Sequence, residues 1–128
     1  MLPLAHAPAW QVASLVLVAG VVYGSLALIG PDVPLPTHFD KLEHFAVYAV
    51  LALWFTGLVQ RRHYPTVLLG LAALGLTLEY LQFAMHRGRT GDPWDMAANL
   101  LGVAAGVALA LRYSGGWAPR VEAWLSRS

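Results

Sequence analysis

Four long apolar runs, separated by short polar or proline-containing segments, dominate the pattern of this chain. The first, residues 10–29, carries no charged side chain. At 1.5 Å per residue, about 20 residues cross a hydrocarbon core of about 30 Å, so a transmembrane helix is expected there. A cleaved signal peptide is the competing reading, but no Lys or Arg precedes the run and it exceeds the roughly 7–15 apolar residues such a segment uses. Gly30 and Pro31 end it, and Pro31, Pro34 and Pro36 stiffen the connection to the second run, residues 42–59. Asp40 and Glu43, three apart just before that run, resemble a capping box with Asp in place of Ser or Thr.

The second run stops at Gln60-Arg61-Arg62-His63, and Tyr64-Pro65 is expected to turn the chain into the third, residues 66–85. A polar, glycine-containing loop, Arg87 to Gly91, follows. Asp92, Pro93 and Asp95 then read as N-cap, first-turn proline and first-turn acid of a fourth helix over 93–112. Past Gly115-Gly116, the i, i+4, i+7 spacing of Trp117, Val121 and Trp124 fits a short interfacial helix, with a frayed tail as the alternative. The pattern thus predicts an all-α, polytopic bundle of four transmembrane helices in a single domain over 1–128. Ala98, Gly102 and Gly106 predict close packing of the fourth helix against a neighbour. Trp10, Trp54, Trp94 and Trp117 fall near the ends of the runs, where an interfacial aromatic belt is expected.

Composition agrees with the pattern: 58% of the 128 residues are hydrophobic and 12% charged, against roughly 25% charged in an ordinary soluble domain. There is no cysteine, which removes disulfides and thiolate chemistry. A net charge of +1 argues against a nucleic-acid partner. With four crossings, Arg61, Arg62, Arg112, Arg120 and Arg127 share one side with both termini, and Lys41, Arg87 and Arg89 lie on the other. The positive-inside rule then makes both termini cytoplasmic.

Most of the unusual polar residues gather at the opposite, outward end. Asp40, His44 and Tyr48 follow one another at i, i+4, i+8 and form one stripe on the second helix. Glu79, Gln82 and His86 form another on the third, and Asp92, Asp95 and Asn99 a third on the fourth. Helical rise places Tyr48 about 12 Å inward from Asp40, Glu79 about 12 Å from Arg87 and Asn99 about 10 Å from Asp92, so the three stripes reach one level. A charge at the bilayer centre costs at least about 2.5–3.5 kcal/mol, so Glu79 should face inward toward His44 or Lys41, or be protonated. The expectation is one outward-opening cavity joining His44, Glu79 and Asn99, with Lys41, Arg87, Arg89 and Asp95 at its rim and Tyr48 and Gln82 near its floor. Its ligand-binding set is Asp40, Lys41, His44, Tyr48, Glu79, Gln82, Arg87, Arg89, Asp95 and Asn99. Capping by Asp40 and Glu43, and packing of a closed polar cluster, are the structural alternatives. No metal-ligand spacing such as H-E-x-x-H occurs, and neither a metal nor a cofactor is expected.

In combination, D-K-x-x-H-F-x-x-Y over Asp40 to Tyr48, E-x-x-Q over Glu79 to Gln82, then Arg89 and D-x-x-x-N over Asp95 to Asn99 with Gly102 and Gly106, resemble the VanZ-like family. The resemblance covers the chain from Asp40 to about Gly106; Thr90 and Gly91 stand where a more Ser-rich loop would be expected. It implies a small multi-helix protein of the bacterial cytoplasmic membrane, in a family named after an accessory protein that reduces teicoplanin sensitivity, with no established biochemical activity. Three functions stay open. The first is an envelope protein binding an anionic headgroup or lipid-linked precursor. The second is an intramembrane enzyme, with His44 or Glu79 as general base and Lys41, Arg87 and Arg89 stabilising a transition state. The third is a proton-coupled transporter or assembly partner, using Glu79 as the protonated group and the Gly102/Gly106 face for homo-oligomerisation.

Overall fold

The computed structural model describes residues 2–26, 39–84, 93–114 and 116–127. It is helical, and among the described residues no strand occurs. Helix α1 is Ala7–Leu26, α2 is Phe39–Leu58, α3 is Tyr64–Ala84, α4 is Pro93–Leu109 and α5 is Trp117–Leu125. A 3₁₀ turn, Arg61–His63, joins α2 to α3, and a π turn, Ala110–Ser114, extends α4. Three segments, Ala7–Gly24, Arg61–Leu81 and Trp94–Tyr113, are long and apolar enough to cross a membrane, and the apolar stretch Leu42–Leu58 of α2 is slightly shorter. The chain is therefore a helical membrane bundle.

Helix starts follow proline more closely than the sequence pattern suggested. Pro8, Pro65 and Pro119 each sit within the first turn of a helix and α4 opens on Pro93, where a missing N–H costs nothing because first-turn donors have no intrahelical acceptor. Tyr64 and Pro65, expected to form the turn, instead start α3, and the turn itself is the preceding 3₁₀ segment, closed by His63 N–H donating to Gln60 O at 2.9 Å. Helix α1 likewise begins at Ala7, three residues before the expected start, and α2 begins at Phe39, which puts Asp40 inside the first turn. Gly116 adopts a left-handed conformation, φ 70°, which lets the chain reverse into α5.

The centre of the bundle is the α2–α4 pair. A Cβ on Gly102 would strike the carbonyl oxygen of Phe45, and one on Gly106 would lie 2.6 Å from Ala49 O, so the two glycines let the backbones touch. Gly102 and Gly106 are consequently buried against α2 within the chain. Tyr48, Leu51, Ala52, Leu71 and Val103 form the core of this pair with α3. Outward-facing Val12, Leu15, Val16, Leu69, Leu76 and Leu101 are all at least 60% exposed, the surface a bundle offers to lipid tails.

A second cluster closes the end that carries the 61–63 turn, and it joins three of the four tryptophans expected near the interfaces. Trp10, Trp54 and Trp117 pack on one another with ring centroids 5.3–5.8 Å apart. Trp94 and Trp124 are the strongly exposed tryptophans. Trp117 Nε1 donates to Leu53 O at 2.7 Å, and it reaches that carbonyl because residue 57 is glycine: a Cβ there would overlap the indole. Trp54 Nε1 donates to Ser14 Oγ at 2.9 Å, tying α1 to α2. Leu2 N–H donates to Leu58 O at 2.8 Å, satisfying one of the carbonyls left open where α2 ends.

Candidate functional site

Where α2 and α4 begin, side chains of three helices meet. His44 of α2 donates from Nδ1 to Asn99 Oδ1 of α4 at 2.9 Å, and its Nε2 lies 3.9 Å from Asp95 Oδ2, one turn earlier on α4. The ring is thus held between an amide and a carboxylate, both contributed by α4. The second separation is longer than a hydrogen bond but short enough for an ion pair once the imidazole carries two protons. Asn99 is 2% exposed and Asp95 3%. Asp95, expected at a rim, is therefore an interior residue, because its position in the first turn of α4 directs it at His44.

One turn deeper on α2, Tyr48 is buried against α3, the helix that carries Glu79. Gly75, one turn before Glu79, explains how these helices approach: a Cβ there would lie 3.1 Å from Asn99 Nδ2 and 3.4 Å from the Tyr48 hydroxyl. Its small size lets the Asn99 and Tyr48 side chains pack on the α3 backbone. An isolated glycine in an otherwise helical run was the sequence signal for such an approach. Five of the expected residues, His44, Tyr48, Glu79, Asp95 and Asn99, thus occupy one region. The side chains of Asp40, Lys41 and Gln82, and all of His86, Arg87 and Arg89, lie outside the described residues. Among the described residues, no group of three or more His, Asp or Glu side chains is arranged to hold a metal ion.

At this level of a membrane bundle, a His, an Asn, an Asp, a Tyr and a Glu supply donors and acceptors where lipid supplies none. The cluster can hydrogen-bond hydroxyl and amide groups, and sets a carboxylate beside the His44 ring.

Two polar features at the other end were not legible in the sequence. Glu122 of α5 accepts from Ala5 N–H at 2.8 Å, His6 N–H at 2.9 Å and Trp10 Nε1–H at 2.7 Å, with His6 Nδ1 at 3.4 Å. Helix α1 has no acid in its first turn, so Glu122 supplies from the far end of the chain the negative charge its N-terminus favours. Burial pushes the Glu122 carboxyl up, but the donors from His6, Trp10 and Ala5 and the charge of His6 outweigh it and hold the group below its ordinary range. The second feature is a cleft of about 300 Å³ lined in part by Arg61, Arg112 and Arg120.

The VanZ/LLP1 family profile matches residues 7–114, most of the chain. No curated protein and no solved structure shows a significant match.

Proposed function

Because the chain belongs to the VanZ-like family, we propose that it is a protein of the bacterial cytoplasmic membrane whose His44–Asn99–Asp95 cluster, with Tyr48 and Glu79, receives the polar headgroup of an anionic lipid or lipid-linked envelope precursor. The single observation that supports this reading is the 2.9 Å bond of His44 to Asn99 with Asp95 beside it, a polar constellation inside an apolar bundle that would pack with less cost from Ser and Thr. Lys41, Arg87 and Arg89 belong by sequence to the same end and supply the positive charge an anionic group requires. The excess of arginine on the side of the 61–63 turn orients that turn and both termini toward the cytoplasm and the cluster toward the outer leaflet. Binding a precursor there would change envelope sensitivity to glycopeptides, teicoplanin among them.

The test uses His44→Ala and Glu79→Gln at equal membrane abundance and with melting in detergent compared to the parent. Selective loss of the glycopeptide effect by folded variants is the expected result. A folded His44→Ala that retains the full effect, or variants that lose only stability, would assign the cluster to packing. A second reading, an intramembrane enzyme, is favoured by the placement of His44 between an amide and a carboxylate, an arrangement that orients a general base. It predicts a mass change in the bound lipid on incubation with the parent and none with His44→Ala.

A further inference from the structure

The arginine-lined cleft lies at the end of the bundle opposite the His44 cluster, between the 61–63 turn, the start of α3, the π turn and the start of α5. Its volume of about 300 Å³ stands at the lower end of the roughly 300–1,000 Å³ of small-molecule sites, the scale of a headgroup and too small for a folded partner. Arg61, Arg112 and Arg120 line it, Tyr64 and Tyr113 add two phenols, and among the described residues that line it none is a carboxylate.

Local structure explains why three arginines from distant parts of the chain converge. Leu111 lies in the turn that ends α4, where carbonyls lack intrahelical donors, and Arg61 Nη2 donates to its carbonyl at 2.6 Å, which anchors the 61–63 turn against the end of α4. Arg112 follows in the same turn, its guanidinium 5.6 Å from the centre of the Tyr113 ring. Gly116, reversing the chain with no side-chain cap on α5, forms part of the wall and brings Arg120 of α5 to the same opening. Setting orientation needs only positive charge near helix ends. Convergence of that charge on one concave site goes beyond it.

We propose that this cleft is a binding site for a phosphate group, carried by an anionic phospholipid of the leaflet on the side of the termini. Basic pockets between membrane helices are suited to such headgroups, and planar guanidinium donors match phosphate oxygens in pairs. Trp124 and Leu125, exposed at the end of α5, suit an interfacial anchor that would hold α5 at headgroup level. The site is separate from the His44 cluster and does not depend on its role.

The experiment titrates the full chain, purified in nonionic detergent, with short-chain phosphatidylglycerol, short-chain phosphatidylcholine and inorganic phosphate, reading tryptophan emission because Trp117 adjoins Gly116. Saturable binding of phosphatidylglycerol, weaker binding of phosphatidylcholine, and an affinity that falls as salt rises are expected. Arg112→Gln should weaken phosphatidylglycerol about tenfold, the worth of one charge-assisted contact, and Arg112→Gln with Arg120→Gln more. Arg112→Gln with Arg120→Gln should leave the glycopeptide effect ascribed to the His44 cluster intact, so failure here and failure of the His44 reading are distinguishable. Equal binding of inorganic phosphate would keep the phosphate site and assign its source to the aqueous phase. No binding of any probe, a parent affinity indifferent to salt, or an unchanged affinity in folded Arg112→Gln would overturn the proposal.

Discussion

Gly57→Ala decides between two opposed effects. Helix propensity alone favours alanine by up to about 1 kcal/mol in a helix interior, so a site with room would be stabilised. Here the new Cβ would land on the Trp117 indole. Moving the ring breaks its hydrogen bond to Leu53 O, worth about 1 kcal/mol. It also disturbs the contacts with Trp10 and Trp54, worth about 0.5–1.5 kcal/mol each. Setting those losses against the propensity gain leaves a net destabilisation of about 1–3 kcal/mol, in the range typical of overpacking. The assay is thermal unfolding in detergent with tryptophan emission as a second readout, since expulsion of Trp117 should shift the emission of the three-ring cluster to the red. Trp117→Ala supplies the control: with the indole removed, Gly57→Ala should be neutral or stabilising, and the two substitutions should be strongly non-additive. Stabilisation by Gly57→Ala in the parent, or the same loss in both backgrounds, would refute this account of how α5 is seated.

Gly106→Leu should disrupt the α2–α4 contact, because even a Cβ would meet Ala49 O at 2.6 Å; overpacking of about 1–3 kcal/mol or more is expected, measured as loss of folded protein in detergent. For Glu122, the folded carboxyl lies below the ordinary value of 4.5, so its contribution is fully present above that pH and is lost as pH falls through the folded value. Melting of the parent should therefore drop across that window by a step that Glu122→Gln lacks, and parallel pH profiles would contradict the role given to Glu122 at the start of α1. The chain has no cysteine, so His63→Cys and Arg89→Cys can report topology: in intact cells a membrane-impermeant thiol reagent should label position 89 and spare position 63, and the reverse pattern would invert the proposed orientation.

The four apolar runs were legible because spanning length and freedom from charge are local properties. The close approach at Gly102 and Gly106 was legible as packing, but not which helix it meets, and that choice determines that the face is internal. His44 and Asn99 could be paired by depth because helical rise is regular. The same arithmetic placed Asp95 at the rim, since rise alone does not specify rotation about the α4 axis. Trp10, Trp54 and Trp117 each sit near a helix end, as an interfacial belt would require, yet they turn inward because Gly57 opens a seat for an indole and α5 folds back to fill it. Glu122 lies more than a hundred residues from the N–H groups it accepts from, and no periodicity within either helix announces that contact. Convergence of Arg61, Arg112 and Arg120 likewise depends on the π turn and the left-handed Gly116.

The central claim, that the His44 cluster receives a headgroup, is tested most directly by an experimental structure of the chain in a bilayer containing anionic lipid. The account predicts density for a polar headgroup between the ends of α2, α3 and α4 where α2 and α4 begin, within hydrogen-bonding distance of His44 or Glu79. Helices closed on one another there, with His44, Asn99 and Asp95 sealed from lipid and no headgroup density beside them, would contradict it and leave the cluster as a polar lock between helices.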